Sequence, residues 1–170
     1  MKVEEWEKTF GDVYRKSIEE GALSCMIGHI ALPEYSKVLD PTLKDEDILP
    51  ATLAKEITTT LLREKLGFNG LVVTDATAMA GFALPMPREK AVPMSIAAGN
   101  DMFLFTRNMD EDFYFMKKGI EEGVITSERL DEALTRILGM KAALKLHTKQ
   151  QNNELAPNLE RAKEIIGNPK

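Results

Sequence analysis

Three short apolar runs divide the chain into alternating segments. They cover residues 22–30, 71–74 and 102–105, and glycine or asparagine residues flank them. Runs this short, apolar on both faces, are typical of buried parallel strands. The segments between and after them carry apolar residues at helical spacing. The pattern therefore predicts an α/β protein with parallel strands.

Four helices are predicted around these strands. Their expected bounds are residues 51–66, 88–98, 110–122 and 127 to about 146. One face of the first helix is expected to carry four apolar side chains, those of Leu53, Ile57, Leu61 and Leu62. Gly67 is placed to end that helix in a left-handed conformation. Ser127 is expected to be the N-cap of the last helix.

The alternation of strands and helices implies right-handed crossovers, which occur in open sheets and in (β/α)8 barrels. Three strands cannot close a barrel, because a barrel of this kind needs eight. If strands are missing, they leave an apolar edge that self-association, a partner or distortion must cover. Residues 147–170 are more polar and are interpreted as a linker or tail with a possible short helix over 155–166.

Composition narrows the classes of function. The 170 residues are 44% apolar and 29% charged, with a net charge of −5 and no basic stripe that would favour nucleic-acid binding. The longest apolar runs are shorter than the ~18–20 residues that a membrane span needs. The first ten residues lack the apolar core of a signal peptide, which slightly favours a cytoplasmic location. One cysteine and two histidines do not make a zinc site, so no metal and no cofactor is expected.

Candidate chemistry lies where the predicted strands end. In parallel α/β folds the working residues follow the carboxyl ends of strands, and His29, Asp75 and Arg107 occupy such positions. An aspartate can act as nucleophile or base, while histidine and arginine can hydrogen-bond the hydroxyl groups of a polar substrate. Each residue also has a structural interpretation. Asp75 could cap a helix, His29 could bind a backbone carbonyl, and Arg107 could lie in a solvated loop.

A longer series of motifs resembles glycoside hydrolase family 3. Residues 61–75 read LLREKLGFNGLVVTD and resemble the family's approach to its seventh barrel strand, whose final aspartate is the nucleophile. Residues 21–26 are similar to the sixth strand, and residues 97–102, AAGNDM, are similar to the entry to the eighth. The resemblance covers about residues 5–146 and implies strands 6–8 of a TIM (β/α)8 barrel with their helices over residues 1–146.

The resemblance implies a retaining hydrolase that acts on β-glycosides. It gives Asp75 the role of nucleophile and places His29 in the substrate pocket, while Arg107 is predicted from its strand-end position to bind the carbohydrate substrate. Within the family, Pro50-Ala51-Thr52 and residues 75–79 are more similar to the N-acetylglucosaminidase branch than to the β-glucosidase branch. Ala76 departs from the acidic residue that usually follows the nucleophile.

Other parts of the family pattern are missing. The first five strands and the acid/base residue are not found, so the chain is interpreted as a fragment of a larger enzyme that is inactive alone. Loss of an acid/base group costs about 10²–10⁴ in rate. Two alternatives remain, a non-catalytic sugar-binding or scaffold module derived from the same barrel, and a different α/β enzyme such as an aldolase-like or phosphoryl-transfer barrel.

Overall fold

The computed structural model describes residues 1–151 of the chain, with side chains as far as residue 148. The strands are β1 (Ser24–Ile27), β2 (Leu71–Ala76) and β3 (Met102–Leu104). The helices before β3 are α1 (Val3–Lys8), α2 (Phe10–Glu19), α3 (Pro33–Leu39), a π-helix (Glu56–Lys65), α4 (Ala80–Ala83) and α5 (Arg88–Ala97), with a 3₁₀ turn at Asp45–Asp47. The helices after β3 are α6 (Met109–Glu121), α7 (Ser127–Ala143) and α8 (Leu146–Gln151).

The three strands form one parallel sheet in the order β1-β2-β3, which confirms the predicted α/β fold. The first strand is shorter than the apolar run 22–30 that predicted it. The register between β2 and β3 shifts between Val73 and Ala76. At this irregularity the hydroxyl of Thr74 accepts a hydrogen bond of 3.0 Å from the backbone N–H of Leu104. The Thr74 side chain thus accepts a hydrogen bond from β3 where the backbone pairing of β2 and β3 is interrupted.

The two faces of the sheet differ in burial. One face packs on the helices through Ile27, Val72 and Phe103, which belong to or contact the two apolar cores. The other face is open, because Met26 and Met102 expose 55% and 36% of their surface. The prediction that the strands are buried on both faces is therefore wrong for this chain. Helices on one face and an exposed apolar surface on the other are what part of a barrel wall would show.

The predicted helix over residues 51–66 is also different in the structure. It begins at Glu56 and has the wider turns of a π-helix. Leu53 lies in the turn before this helix and packs with Phe82 and Val92 in one core. Three other side chains of the set, those of Ile57, Leu61 and Leu62, lie in the second core. The four residues therefore serve two cores and do not share one helix face.

The start and the end of the last predicted helix also need correction. Thr126, not Ser127, is its N-cap, since the Thr126 hydroxyl accepts a hydrogen bond of 3.2 Å from the backbone N–H of Arg129. The helix ends at Ala143. Lys145 then adopts a positive φ of 56°, a left-handed conformation that interrupts the helix before α8.

The chain divides into two compact units, Met1–Ile137 and Leu138–Lys170. The first unit contains the sheet and all the candidate site residues. A boundary at residues 146 and 147 stays a prediction, and the expected helix over 155–166 lies outside the described residues. Within residues 1–151, no helix has the length and apolar character needed to cross a membrane.

A polar cluster around Glu7 joins four helices of the first unit. The Glu7 carboxylate accepts hydrogen bonds from the Tyr35 hydroxyl, from Arg15 at 2.7 Å and from Lys65 at 2.9 Å. The bond from Tyr35, followed by those from Arg15 and Lys65, lowers the pKa of Glu7 from 4.5 to about 2. The ionised carboxylate thus stabilises the contacts among α1, α2, α3 and the π-helix.

The Glu7 cluster makes the stability of the chain sensitive to acid. Because the folded pKa lies below the unfolded value, this stabilisation is complete above pH 4.5 and is lost as pH falls towards about 2. We expect Glu7→Gln to cost about 1 kcal/mol at pH 7 and to flatten the loss of stability over this window. Urea unfolding at several pH values measures the effect. Asp12→Asn, at an exposed pair with Lys16, is the control, and parallel pH curves for wild type and Glu7→Gln would contradict the prediction.

Candidate active site

The carboxyl ends of the three strands meet at one edge of the sheet. Because the strands are parallel and Ile27 pairs with Thr74, the segments that follow β1, β2 and β3 leave the sheet on the same side. His29 follows β1, Asp75 lies at the end of β2, and Arg107 follows β3. The fold thus brings the three predicted residues to one edge. Within residues 1–151, however, their side chains make no hydrogen bond or ion pair with one another.

Asp75 is held by its own strand. The residue is half-buried and alternates with Val72 and Thr74, which are fully buried, so its side chain lies on the open face of the sheet. One carboxylate oxygen, Oδ1, accepts a hydrogen bond of 2.7 Å from the backbone N–H of Ala76. Within the described chain, Oδ2 has no hydrogen-bond partner. A carboxylate with one oxygen fixed and one available is suited to attack an electrophile on the open side.

His29 makes two hydrogen bonds within the protein. Its Nε2 lies 3.0 Å from the carbonyl oxygen of Ala76, and its Nδ1 lies 2.8 Å from the hydroxyl of Thr52. A carbonyl oxygen can only accept, so Nε2 carries the proton. In the neutral ring Nδ1 then accepts from Thr52. This geometry matches the structural interpretation of His29 as a histidine bound to a backbone carbonyl.

The loop after β2 packs directly on the segment after β1. A Cβ atom added to Gly81 would lie 2.7 Å from the Cβ of His29 and 2.9 Å from its carbonyl oxygen. Only glycine permits an approach this close. The fully buried ring of Phe82 lies 5.4 Å from the imidazole ring, measured between centroids. His29 is therefore fixed by packing as well as by hydrogen bonds.

Arg107 is exposed and lies between β3 and α6. Its backbone N–H donates a hydrogen bond of 3.2 Å to Asp112. In the part of the chain that the structure describes, its guanidinium makes no hydrogen bond or ion pair, whereas Arg63, Arg88 and Arg129 are all paired. The position is compatible with a side chain that reaches a ligand at this edge and also with a solvated loop residue.

Sequence reasoning missed a second group that shapes this edge. Arg88 donates two hydrogen bonds, of 2.7 and 2.6 Å, to the buried carboxylate of Asp112. It also donates to the carbonyl and hydroxyl oxygens of Thr77, at 3.2 and 3.1 Å. The Thr77 hydroxyl donates in turn to the carbonyl oxygen of Phe105, at 2.7 Å. These bonds join the segments that follow β2 and β3, but no motif or spacing in the sequence signals them.

A metal site is not evident at this edge. Among residues 1–151, no three histidine, cysteine, aspartate or glutamate side chains are grouped in a way that could hold a metal ion.

Known proteins share both the sequence and the fold. The chain is 60% identical over 147 residues to the "Beta-N-acetylglucosaminidase/beta-glucosidase" of Cellulomonas fimi, a match that covers 86% of this chain and 26% of that protein. It is 30% identical over 155 residues to "Beta-hexosaminidase A" of Pseudoalteromonas piscicida, covering 85% of this chain and 24% of that protein. The chain thus spans about a quarter of the length of these relatives.

A solved structure of a related protein is similar to this chain in both fold and sequence. "Beta-glucoside phosphorylase BglX bound to 2FGlc" superimposes with a TM-score of 0.85 at 46% identity, covering 87% of this chain and 26% of that one. Residues 1–140 match the family model described as "Glycosyl hydrolase family 3 N terminal domain". Sequence, fold and the order of the motifs agree over the same residues. The chain belongs to glycosyl hydrolase family 3, within the N-terminal domain of that family.

Proposed function

We propose that this chain supplies the nucleophile segment of a retaining β-glycoside hydrolase, with Asp75 as the nucleophile. The observation that carries the proposal is the position of the Asp75 carboxylate. It lies at the carboxyl end of β2 on the open face, with one oxygen fixed by Ala76. The names of the relatives suggest β-glucosides or N-acetyl-β-glucosaminides as substrates of the parent protein.

The proposed reaction has two steps. An oxygen of Asp75 attacks the anomeric carbon, the bond to the leaving-group oxygen breaks, and a covalent glycosyl ester forms. Water then attacks the same carbon, which releases the sugar with its original configuration and restores the carboxylate. His29 and Arg107 are proposed to line the substrate pocket. The N–H of Ala76 would steady the carboxylate before attack and after release.

A retaining site also needs a group that protonates the leaving oxygen and later activates water. No residue of this chain is assigned to that role. The proposal therefore places catalysis in the longer parent enzyme, and we expect the isolated chain to show little or no turnover.

A hybrid enzyme provides the test. We define it as the Cellulomonas fimi protein in which this chain replaces the segment that it matches. Incubation with a 2-fluoro β-glycoside should trap the glycosyl-enzyme, because the fluorine slows the second step more than the first when the leaving group is good. Digestion and mass spectrometry then locate the label. A label on any residue other than Asp75 would refute the assignment.

Transfer to phosphate is a second candidate, favoured by the phosphorylase whose structure superimposes on the chain. In this reaction a phosphate oxygen attacks the anomeric carbon of the glycosyl-enzyme and releases the Asp75 carboxylate, giving a glycosyl phosphate. Product analysis of the hybrid enzyme with and without inorganic phosphate separates the two candidates. Free sugar in both conditions supports hydrolysis, and sugar phosphate formed only with added phosphate supports phosphorolysis.

A non-catalytic sugar-binding or scaffold module remains the alternative from another class of function. It predicts that the hybrid enzyme binds a β-glycoside without turning it over. Isothermal titration of the hybrid with an unreactive thioglycoside, alongside the turnover assay, tests this alternative directly.

The open side of the sheet must be covered in the working protein. Within the described residues, β1 and β3 each pair only with β2, so two strand edges are free. On the helix-packed side of the sheet, an apolar cavity of about 330 Å³ lies beside β1, and Phe10 and Ile30 in its lining expose 52% and 71% of their surface. We propose that upstream barrel strands of the parent protein, with their helices, cover both the open face and this apolar surface.

Without those strands the isolated chain is expected to self-associate through the same surface. Met26→Asp, which places a charge on the open face, should shift the chain towards monomer. Light scattering over a range of concentrations measures both states, with Lys117→Asp on the outer surface of α6 as the control. A wild-type chain that stays monomeric would contradict this prediction.

A further inference from the structure

Ala76 is the link between His29 and Asp75. Its backbone N–H donates a hydrogen bond of 2.7 Å to the Oδ1 atom of Asp75. Its carbonyl oxygen accepts a hydrogen bond of 3.0 Å from Nε2 of His29. One residue thus binds the carboxylate through its amide and the imidazole through its carbonyl. Any displacement of its backbone would also displace the N–H that fixes Asp75.

His29 is itself anchored to the core. Thr52, whose hydroxyl bonds Nδ1, is completely buried. The carbonyl oxygen of Thr52 accepts a hydrogen bond of 2.9 Å from the side-chain amide of Asn100, which is also completely buried. The same amide donates a second hydrogen bond, of 2.7 Å, to the carbonyl oxygen of Ser95. The series of bonds therefore runs from the buried start of β3 through Thr52 and His29 to the residue that follows Asp75.

We propose that His29 is a positioning residue, which acts through Ala76 to hold the Asp75 carboxylate in line for attack. This inference rests on the proposed role of Asp75 as the nucleophile. In the neutral ring the Nε2–H tautomer fits both partners, because Ala76 can only accept from Nε2 and the Thr52 hydroxyl can donate to Nδ1. It contributes through orientation, for which a displacement of about 1 Å can cost about 10²-fold in rate.

Matched substitutions separate orientation from other roles of the ring. In His29→Gln the amide nitrogen is four bonds from Cα, as Nε2 is in histidine, so a donor to Ala76 is retained. His29→Leu removes that donor at similar volume. Thr52→Val removes the hydroxyl that bonds Nδ1 and anchors the ring, whereas Thr52→Ser retains it.

The first measurement uses the isolated full chain and requires no activity. Long-range ¹H–¹⁵N NMR spectra should show a proton on Nε2 and none on Nδ1 of His29, and Thr52→Val should shift the Nδ1 resonance because the hydroxyl that bonds this nitrogen is removed. His147→Gln identifies the signals of the only other histidine. A proton on Nδ1 of His29 in the wild-type chain would overturn the inference.

The second measurement uses steady-state kinetics of the hybrid enzyme. We expect His29→Leu to lower kcat about 10–100-fold, with KM changed by less than about threefold. His29→Gln should recover at least about tenfold of that loss. An effect confined to KM would mean that the ring acts only through contact with the substrate, and equal losses in both variants would mean that the donor to Ala76 is immaterial. Either result overturns the inference.

Two comparisons keep the outcome unambiguous. If His29→Leu does not fold, Thr52→Val against Thr52→Ser carries the test, and equal kcat values for this pair would overturn the inference. Asp75→Asn is measured in the same assay. Activity that survives this substitution would refute Asp75 as the nucleophile, whatever the kinetics of the His29 variants. The tautomer measurement does not depend on the identity of the nucleophile, because it requires no activity.

Discussion

Asp75→Gly in the hybrid enzyme should lower kcat for an aryl β-glycoside by at least about 10⁴-fold, because the covalent intermediate cannot form without the carboxylate. The sheet around the residue should tolerate the change, since Asp75 is half-buried and the β2 ladder to β1 is made by backbone atoms. Unfolding temperatures of the variant and the wild type establish that only chemistry is lost.

Sodium azide sharpens this prediction. Removal of the carboxylate leaves space on the open face beneath the anomeric carbon, and azide can attack there while the activated aryl group departs. The product is then an α-glycosyl azide, of configuration opposite to the substrate, and its rate of formation should rise with azide concentration. Asp110→Gly, at an exposed carboxylate beside Arg107, is the control and should keep wild-type kinetics. Absence of any azide product from Asp75→Gly, or an azide product of β configuration, would contradict the role given to Asp75.

The order of elements could be predicted from the sequence because periodicity reports burial. Apolar runs marked all three strands, and the helices predicted over 88–98 and 110–122 begin and end within one residue of α5 and α6, whereas α4 was not predicted. The strand-end rule then placed His29, Asp75 and Arg107 at one edge. These inferences depend on local pattern and on the direction of parallel strands, and both are encoded within short stretches of chain.

The contacts that define the edge could not be predicted in the same way. His29 bonds a hydroxyl 23 positions away and a carbonyl 47 positions away. Arg88 and Asp112 are 24 positions apart and lie in the first turns of different helices, where charged residues usually face solvent. The π-helix depends on backbone bonds that have no residue signature, so its first residue was predicted wrongly, and Leu53, which precedes it, packs in a different core. Tertiary packing decided each of these features.

Asp101 presents the other large effect that we expect, and it concerns stability. In the sequence the residue is distinguished only as part of the motif that precedes β3, yet its side chain is completely buried and contacts three arginines. Its carboxylate oxygens lie 2.7 Å from Arg63, 2.6 Å from Arg129 and 3.6 Å from Arg136. The backbone N–H of Val72 donates a further bond of 2.9 Å to it. One carboxylate thus joins the π-helix, the start of β2 and helix α7.

We expect Asp101→Asn to destabilise the chain by about 3–5 kcal/mol, the usual cost of removing one partner from a buried ion pair. The asparagine keeps the shape but leaves three poorly hydrated guanidinium groups facing one another. Burial already lowers the pKa of Arg63, and Asp101 opposes that effect. A loss of this size is a large part of the ~5–15 kcal/mol that holds an ordinary domain folded.

Urea unfolding of the isolated chain measures the change, with Glu132→Gln as the matched control. Glu132 pairs with two of the same arginines, at 2.8 Å from Arg129 and 3.7 Å from Arg136, but its side chain is 57% exposed. The control should therefore cost only about 0–1 kcal/mol, and added salt should reduce even that contribution. Asp101→Asn should remain destabilised at all salt concentrations, because desolvation of the arginines causes most of the cost. If the two substitutions have equal effects, the carboxylate of Asp101 is not the centre of this cluster, and the three arginines must be stabilised by their backbone carbonyl partners instead.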